Sequence, residues 1–320
     1  MDEKKRNEGI LAHMGRTGPV ELLHQYQPEG RMVLADAPKP LPLLGAVCGD
    51  VAGSAYEHHN IKRLPTREEL MPADACITDD TVMTVAVAEG LRRGLAMLPL
   101  DWQNTPGAEG ELRESVRRRL RDYGRRYPNA GYGGSFRRWL HSAHAEPYYS
   151  WGNGSAMRAS FAGWMARSLE EAEALGRVTA MPTHDHPEGI LGAEKVAGCI
   201  RLLRDGAGKE DIRAYAARDY SMDFTLDGIR DSYRFDVSCR GSVPQAIMAF
   251  LEGGDFEEVL ARAISIGGDS DTIAAIAGSI AEVVYPIPIR LREQVTAHLP
   301  PRLENELIRA TQFARQRTGG

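Results

Sequence analysis

The stretch SIGGDSDTIAAIAG, from Ser265 to Gly278, constrains the fold of this chain more than any other segment. A run of small residues follows Thr272 in this stretch: Ala274, Ala275, Ala277, Gly278 and Ser279. Small residues let a helix approach its neighbours closely, so we expect a helix that packs at the centre of a domain. Such a helix would hold Asp269 and Asp271 rigidly at its mouth. A tight core helix with no other role would give the same pattern.

The remaining sequence is typical of an all-α protein. Apolar residues recur at helical spacing in three long segments, 79–95, 111–126 and 186–206. In the second segment one face carries Leu112, Val116, Leu120 and Tyr123. Convincing alternating strands are scarce, and we find neither a short repeat nor a low-complexity tract. The pattern therefore predicts a compact helical bundle that forms one domain.

Three helices are predicted in series in the C-terminal half. Ser242 is expected to cap the first of them, with Pro244 in its first turn. Asp255, followed three residues later by Glu258, is typical of a capping box for the second. A pair of glycines ends each of these two helices. The third is the helix of small residues that follows Asp271.

Composition and charge exclude several classes of protein. The net charge of −5 gives no electrostatic reason to expect nucleic acid as a partner. The N-terminus has no apolar segment of a signal peptide, and no stretch approaches the roughly 18 apolar residues of a membrane span. The four cysteines are scattered and are expected to be reduced core residues: Cys48, Cys76, Cys199 and Cys239. We therefore expect a cytoplasmic protein that binds neither membrane nor nucleic acid.

The first 40 residues differ from the rest because they lack sustained periodicity. The stretch ADAPKPLPLLG, with three prolines, reads as a linker from this segment into the folded body. We predict an N-terminal extension over residues 1–40 and a folded body over residues 41–305. Residues 306–320 are predicted to form the end of the last helix and a tail.

A second acidic cluster, ITDDTVMT at residues 77–84, resembles the first one in composition and in its place at a helix start. Helix capping explains either cluster alone, since Asp and Thr are favoured at helix starts. One cap needs only one side chain, however, and neighbouring carboxylates repel unless a positive charge lies between them. Finding this surplus twice favours a hard cation bound by oxygen, Mg²⁺ or Mn²⁺. Four carboxylates are enough for two ions: Asp79, Asp80, Asp269 and Asp271.

The direction of these side chains depends on the local backbone. In a helix Asp269 and Asp271 would point about 200° apart, whereas in an extended loop they would point the same way. The preceding Gly267-Gly268 makes such a loop easy to form. Asp79 and Asp80 are adjacent, so their side chains diverge enough to serve two different ions.

Five ordered motifs then stand out over roughly residues 41 to 290. They are GAVCGDVAGSAYE at 45–57, TDDTVMT at 78–84, SWGNGSAMR at 150–158, THDHPEG at 183–189 and GGDSDTIAAIAG at 267–278. Their order resembles that of the ADP-ribosylglycohydrolases, a family that includes the dinitrogenase-reductase-activating glycohydrolase and the ADP-ribosylarginine hydrolases. Any one motif would be weak, but the ordered set is specific. The resemblance implies an all-α orthogonal bundle with a two-metal centre in a cleft.

The resemblance also implies roles for individual residues. The metal ligands would be Thr78, Asp79, Asp80, Asp269, Asp271 and Thr272. Glu57 corresponds to the acidic residue near the metals and the scissile bond, and an aspartate ligand such as Asp80 is its rival as general base. Substrate binding would involve Trp151 beside the nucleotide, the loop Gly152, Asn153, Gly154 and Ser155 as an anion nest, and His184 on the adenosine side. Taken alone, WGNGS would be an ordinary turn and Trp151 a surface residue.

These features predict a metal-dependent hydrolase, with two Mg²⁺ or Mn²⁺ ions, that removes ADP-ribose from modified protein, with arginine as the preferred acceptor. A carboxylate can activate water in such glycosidic hydrolysis, and two metals can orient the ribose hydroxyls. Another dimetal hydrolase, acting on a nucleotide or phosphoester, is an alternative. A second alternative is an immunity-type or regulatory protein. Its N-terminal extension, which carries several apolar residues, would bind and occlude a cognate ADP-ribosyltransferase.

Overall fold

The computed structural model describes residues 42–319, so the predicted N-terminal extension lies outside the described residues. These residues form fourteen α-helices. The first seven are α1 (Leu44–Ser54), α2 (Asp79–Ala96), α3 (Ala108–Arg126), α4 (Gly134–His141), α5 (Ser160–Met165), α6 (Leu169–Ala180) and α7 (Pro187–Arg204). The others are α8 (Lys209–Ala216), α9 (Leu226–Ile229), α10 (Cys239–Glu252), α11 (Phe256–Ser265), α12 (Ser270–Ala281), α13 (Ile289–His298) and α14 (Pro301–Thr318).

Three short 3₁₀ segments complete the secondary structure: Glu68–Leu70, Trp102–Asn104 and Asn153–Ser155. Between residues 42 and 319 no strand forms, and the only β-type pairing there is an isolated bridge between Gly152 and Ser238. The predicted all-α class is therefore confirmed. No helix within this described range is long and apolar enough to cross a bilayer.

Helices α1 and α12 form the centre of the molecule because their backbones touch. Gly45, Gly49 and Gly53 are spaced four apart, so they share one face of α1, and this face lies on α12. A Cβ atom added to Gly49 would lie 2.0 Å from the carbonyl oxygen of Ala274, and one added to Gly45 would lie 2.3 Å from that of Gly278. Every residue of α12 is buried, so the predicted close-packed central helix is confirmed.

The far end of α12 also fixes where α1 begins. The Glu282 carboxylate accepts hydrogen bonds from the N–H of Leu43 at 2.9 Å and from that of Gly45 at 2.6 Å. A helix start leaves such N–H groups without intrahelical partners, and here a buried side chain from the partner helix satisfies two of them. The glycine face and this cap together set the position of α1 along α12.

The other helices pack around this central pair. Helices α2 and α3 form one pair and α6 and α7 another, while α10 and α11 pack on α12. Helix α14 packs on α2, where Arg92 and Glu306 form a buried ion pair at 2.7 Å. A second buried pair, Arg317 with Glu171 at 2.8 Å, fastens its other end. The division of the chain at residues 40 and 305 stays a prediction.

One predicted helix start is wrong. Helix α10 begins at Cys239, capped by the Ser238 hydroxyl, which accepts an N–H of the first turn, so Pro244 lies inside the helix. The expected cap, Ser242, is buried one turn later, and its hydroxyl accepts a hydrogen bond from the Asn153 amide at 2.9 Å. Both Ser238 and Ser242 precede Pro244 in the sequence. Ser238 caps the helix, whereas Ser242 is engaged in the buried contact with Asn153.

Two other local predictions have different outcomes. Asp255 caps α11 as expected, since its Oδ1 accepts from the N–H of Glu258 at 2.8 Å. Three of the cysteines are buried and free, but Cys76 is exposed, so its placement in the core is wrong. Cys76 lies in the loop before α2, where apolar side chains need not face inward.

Candidate metal centre

The starts of α2 and α12 and the loop that follows α1 meet at one cavity of about 410 Å³. Most predicted site residues line it: Glu57, Thr78, Asp79, Asp80, Gly152, Asn153, Gly154, His184, Asp269, Asp271 and Thr272. Trp151 and Ser155 are not among its lining residues. Trp151 is 49% exposed outside it, and the buried Ser155 hydroxyl donates to the carbonyl of Gly189 at 2.6 Å. The two acidic clusters are therefore brought together, although nearly 190 residues separate them.

The start of α2 is capped without using either of its own aspartates. The Thr78 hydroxyl accepts from the N–H of Asp80 at 3.2 Å and donates to Asp50 Oδ1 at 2.7 Å. Asp50 Oδ2 in turn accepts from the N–H groups of Thr78 at 2.9 Å and Thr81 at 3.0 Å. Because Thr78 and Asp50 satisfy these donors, capping does not account for Asp79 and Asp80.

The start of α12 differs from the extended loop expected around its aspartates. Gly267 and Gly268 both adopt the left-handed region, with φ of 66° and 78°, and turn the chain into the helix. The helix begins at Ser270, so Asp271 lies in its first turn. Asp269 occupies the N-cap position but makes no capping hydrogen bond. The two carboxylates nevertheless converge, because Asp269 lies outside the helical backbone conformation.

Each of these aspartates has a partner that holds it in the cavity floor. Asp269 Oδ2 accepts from the Asn153 amide at 2.6 Å, which joins the glycine-rich loop to the start of α12. Asp271 Oδ1 accepts from the N–H of Thr272 at 2.9 Å. The Thr272 hydroxyl donates to Asp80 Oδ2 at 3.2 Å, which joins the two acidic clusters directly.

The carboxylates form two overlapping groups. Oxygen atoms of Asp50, Asp80 and Asp271 all lie within 4.8 Å of one another. Oxygen atoms of Glu57, Asp269 and Asp271 meet the same criterion. Asp271 belongs to both groups, so the arrangement offers two adjacent positions for hard cations with one shared carboxylate. Asp79 lines the cavity but belongs to neither group, so its role as a ligand stays a prediction.

Burial without a counter-charge dominates the electrostatics of this centre. Burial, reinforced by neighbouring carboxylates, raises the pKa of Asp79 to about 7 and the pKa of Asp80 and Asp271 well above the usual range. Burial also raises the pKa values of Asp50, Asp269 and Glu57. Between residues 42 and 319, no Lys or Arg lies within ion-pair distance of these six carboxylates; Glu57 has only the exposed His58, at 3.7 Å.

The residues present fit a pair of divalent cations. Asp80 Oδ1 is buried and has no hydrogen-bond partner among the described residues, which is costly unless another group satisfies it. The donors are all oxygen atoms, from carboxylates and a threonine hydroxyl, which suits Mg²⁺ or Mn²⁺ better than a softer metal.

Glu57 lies on a loop that is tied to the start of α12. Asn60 Oδ1 accepts from the N–H of Gly268 at 2.5 Å. The Lys62 ammonium donates to the carbonyls of Ile266 and, at 2.8 Å, of Tyr233. These contacts place the Glu57 carboxylate beside Asp269 and Asp271 while leaving its side chain 27% exposed. Glu57 is thus the member of the centre most accessible from the cavity mouth.

The glycine-rich loop offers fewer free donors than expected. The N–H of Gly152 donates to Ser150 Oγ at 3.2 Å, and that of Asn153 donates to the carbonyl of Val237 at 2.8 Å. Two of the four N–H groups in the predicted anion nest are therefore engaged within the protein. The buried His184 ring lies beside Gly154, whose added Cβ would be 3.3 Å from His184 Nε2.

Two charged residues were not predicted from the sequence: Asp50, which belongs to the first carboxylate group but does not line the cavity, and Arg158. Asp50 lies in the motif GAVCGDVAGSAYE, and its spacing next to the glycine face of α1 was the available signal. Arg158 ends the motif SWGNGSAMR and lines the cavity wall, although it is only 1% exposed. The cavity lining also includes two half-exposed apolar residues, Phe235 and Val237, which belong to no periodic pattern in the sequence.

Comparison with known proteins agrees with this architecture. The chain is 26% identical over 318 residues to ADP-ribosylhydrolase ARH3 of Mus musculus, which covers 76% of this chain and 82% of the relative. It is 25% identical to ADP-ribosylhydrolase ARH3 of Homo sapiens, over 76% of this chain and 84% of that protein. A solved structure described as an ADP-ribosylglycohydrolase-related protein complex matches in fold, with a TM-score of 0.55, 24% identity, and coverage of 84% of this chain and 96% of the other.

The family itself is established by its sequence model. The model described as ADP-ribosylglycohydrolase matches residues 42–317, which is nearly all of the described chain. With the all-α fold in agreement, the chain belongs to the ADP-ribosylglycohydrolase family.

Proposed function

We propose that this protein is a dinuclear Mg²⁺- or Mn²⁺-dependent hydrolase that removes ADP-ribose from modified protein, with arginine as the acceptor. Membership of a family of ADP-ribosyl hydrolases supports the reaction class. The observation that carries the proposal is the pair of carboxylate groups that share Asp271 on the floor of the cavity. An ADP-ribosylated protein is then the partner that enters this cavity.

The residues that would hold the two ions are those of the overlapping groups, with the threonines beside them. Asp50, Asp80 and Asp271 would face one ion, and Glu57, Asp269 and Asp271 the other. When bound, the two ions would orient the ribose hydroxyls and a water molecule and offset the crowded negative charge. Thr78, Thr272 and Asp79 remain proposed ligands from the sequence.

In the proposed reaction, a water oxygen forms a bond to the anomeric carbon of the ribose while the bond from that carbon to the acceptor nitrogen breaks. Glu57 accepts the proton that the water loses and then gives this proton up to the leaving nitrogen, which restores the carboxylate. Glu57 suits this role because it is partly exposed at the cavity and its pKa is raised by burial. Asp80 is the rival base, but it is only 3% exposed.

Arginine is the first acceptor to test because of the carboxylates on the accessible side of the cavity, Glu57 and Asp79. Several carboxylates line the wall, and a guanidinium group is the protein side chain that carboxylates bind in a bidentate manner. Glu57 and Asp79 are the least buried of these carboxylates, so an incoming side chain would meet them first.

The test uses proteins modified at arginine or at serine and ADP-ribosylated nucleic acid, each incubated with Mg²⁺, with Mn²⁺ and with excess chelator. We expect metal-dependent release of ADP-ribose from the arginine conjugate and none with chelator. Release from another conjugate alone would replace the acceptor. If every conjugate stays intact while a nucleotide or phosphoester is hydrolysed, the protein is a different dimetal hydrolase.

A substitution of Glu57 tests its assignment as the base. Glu57→Gln should lower the hydrolysis rate by about 10²–10⁴-fold, since it removes proton transfer, while metal affinity falls less. Single-turnover rates and calorimetric titration with Mn²⁺ measure the two effects. Glu68→Gln, the same change at an exposed residue, is the matched control. A normal rate in Glu57→Gln would assign water activation to another carboxylate.

A further inference from the structure

Arg158 is a buried cation whose contacts lead to a histidine. Its Nη2 donates to the carbonyl of Thr179 at 3.1 Å and to the hydroxyl of Thr183 at 2.7 Å. Among residues 42–319 no carboxylate lies within ion-pair distance of Arg158, and its Nε is buried without a hydrogen-bond partner. Burial lowers the pKa of Arg158 only to about 10, so it keeps its charge at neutral pH. A charge buried without a counter-ion is costly, and the hydrogen bonds of Arg158 indicate what it does in the protein.

The Thr183 hydroxyl passes this interaction to the next residue. Its Oγ1 lies 2.7 Å from Nδ1 of His184. The hydroxyl is fully buried, so its hydrogen needs an acceptor within the protein. An arginine can only donate, and a hydroxyl oxygen accepts at most two hydrogen bonds. Among residues 42–319 the hydroxyl of Thr183 forms hydrogen bonds with Arg158 and His184, and only His184 Nδ1 can accept. The Thr183 hydrogen is therefore directed to His184 Nδ1, because an Nδ1–H group would leave the buried hydroxyl hydrogen without an acceptor.

His184 is therefore held in one neutral form. Burial, together with the positive charge of Arg158, lowers its pKa well below the usual range, so the ring is uncharged at neutral pH. An uncharged imidazole that accepts at Nδ1 must carry its hydrogen on Nε2. The contact to Arg158 strengthens this arrangement, since donation to a hydroxyl oxygen makes its hydrogen a better donor.

The Nε2 atom faces the glycine-rich loop. A Cβ atom added to Gly154 would lie 3.3 Å from it, and one added to Gly152 would lie 3.5 Å from it. His184 also lines the cavity, together with both glycines. A ligand seated on this loop would thus meet an N–H group rather than a lone pair. This matters because the N–H groups of Gly152 and Asn153 are already engaged.

We propose that Arg158 and Thr183 are positioning residues that fix His184 as the Nε2–H form, so that it donates a hydrogen bond to an anionic oxygen of the ligand on the 152–154 loop. The identity of this oxygen, a diphosphate oxygen of ADP-ribose, rests on the proposed function. The assignment of the Nε2–H form to the ring does not depend on the proposed function. In the opposite form an imidazole lone pair would face the anion, and the hydrogen bond would become a repulsion.

The form of the ring can be read in the free protein, without any reaction. Two-dimensional ¹H–¹⁵N spectra of ¹⁵N-histidine-labelled protein distinguish the two neutral forms, and the spectrum of His184→Ala identifies the signal among the nine histidines. We expect the Nε2–H form in the wild type and in Thr183→Ser, and a mixture or the Nδ1–H form in Thr183→Val. An Nδ1–H form in the wild type would overturn the proposal.

The consequence for binding is measured by calorimetric titration with ADP-ribose in the presence of Mg²⁺. Thr183→Val should weaken binding about fivefold to tenfold, the effect of one hydrogen bond, and Thr183→Ser should restore it. Arg158→Lys keeps the charge but loses the guanidinium geometry, so its affinity for ADP-ribose should lie between those of Thr183→Val and Thr183→Ser. Circular dichroism and melting curves establish that each variant is folded.

A double-mutant cycle separates positioning from a general structural role. If Thr183 acts through the ring, Thr183→Val should cause no further loss of ADP-ribose affinity when His184 is already alanine. An undiminished loss in that background would refute the proposal. If the wild type binds ADP-ribose but hydrolyses none of the conjugates, the proposed function fails, while the positioning role of Arg158 and Thr183 stands.

Discussion

Asp271→Asn is expected to slow hydrolysis severely and to weaken metal binding more than any other single substitution in the centre. Asp271 is the only residue of the two carboxylate groups found among residues 42–319 that belongs to both, so its loss affects both cation positions. We expect a rate lower by on the order of 10³-fold and loss of at least one Mn²⁺ in a titration. Asn keeps the size of the side chain and can still accept from the N–H of Thr272.

The same substitution should raise stability when no metal is present. The pKa of Asp271 lies well above its usual range because of burial and of the charges of Asp80 and Asp269. A carboxyl group with a raised pKa stabilises the fold below its unfolded-state pKa, and this contribution is lost as the pH rises through its folded-state pKa. At neutral pH the aspartate is therefore a cost that the neutral Asn removes.

Melting temperatures with chelator and with Mn²⁺ distinguish a metal ligand from a helix cap. Mn²⁺ should raise the melting temperature of the wild type strongly and that of the variant weakly. In chelator the variant should have the higher melting temperature of the two. Asp223→Asn, the same change at an exposed residue that does not line the cavity, should leave both temperatures unchanged. Normal Mn²⁺ affinity together with a lower melting temperature in chelator would mean that Asp271 only supports the start of α12.

Much of the fold was predictable because several independent features of the sequence indicate the same helices. Leu112, Val116, Leu120 and Tyr123 share a face of α3 and are all buried, as their spacing indicated. The small residues of α12 predicted a central helix, and it is buried throughout. Hydrophobic periodicity, glycine pairs and capping residues agree in these segments, and such agreement makes a local prediction dependable.

The site was predicted in its acidic clusters but not in the residue that joins them to α1. Asp50 stands in a helix whose neighbours are small and apolar, so periodicity marks it as a core position rather than a ligand. Its proximity to Asp80 and Asp271 depends on α1 lying against α12 and beside α2, and that contact is tertiary. The Thr183–His184 contact with Arg158 was hidden for the same reason, since residues 158 and 183 meet only in the folded chain.

Gly49→Ala is expected to destabilise the protein severely, by about 3 kcal/mol or more, although it adds one methyl group. The added Cβ would lie 2.0 Å from the carbonyl oxygen of Ala274 and 2.3 Å from its carbonyl carbon. These are backbone atoms of a buried helix, so no side-chain rotation relieves the contact, and α1 must move away from α12. A fall in melting temperature on the order of 5–10 °C should result.

The control is the same substitution at a helical glycine whose added Cβ atom would contact no other residue. Gly110 lies in the first turn of α3, and a Cβ atom there would have nothing within 4 Å among the described atoms. Gly110→Ala should therefore stabilise the protein by up to about 1 kcal/mol, since alanine favours the helix over glycine. An equal loss in both variants would contradict the close contact of α1 and α12.

The effect of Gly49→Ala should reach the metal centre even in molecules that remain folded. Asp50 follows Gly49 directly, and its carboxylate holds the N–H groups of Thr78 and Thr81 at the start of α2. If α1 shifts away from α12, Asp50 separates from Asp271, and the first carboxylate group opens. Mn²⁺ titration below the melting transition should then show weaker binding in Gly49→Ala and unchanged binding in Gly110→Ala. Unchanged binding in both would mean that α1 fixes the fold but not the distance between these carboxylates.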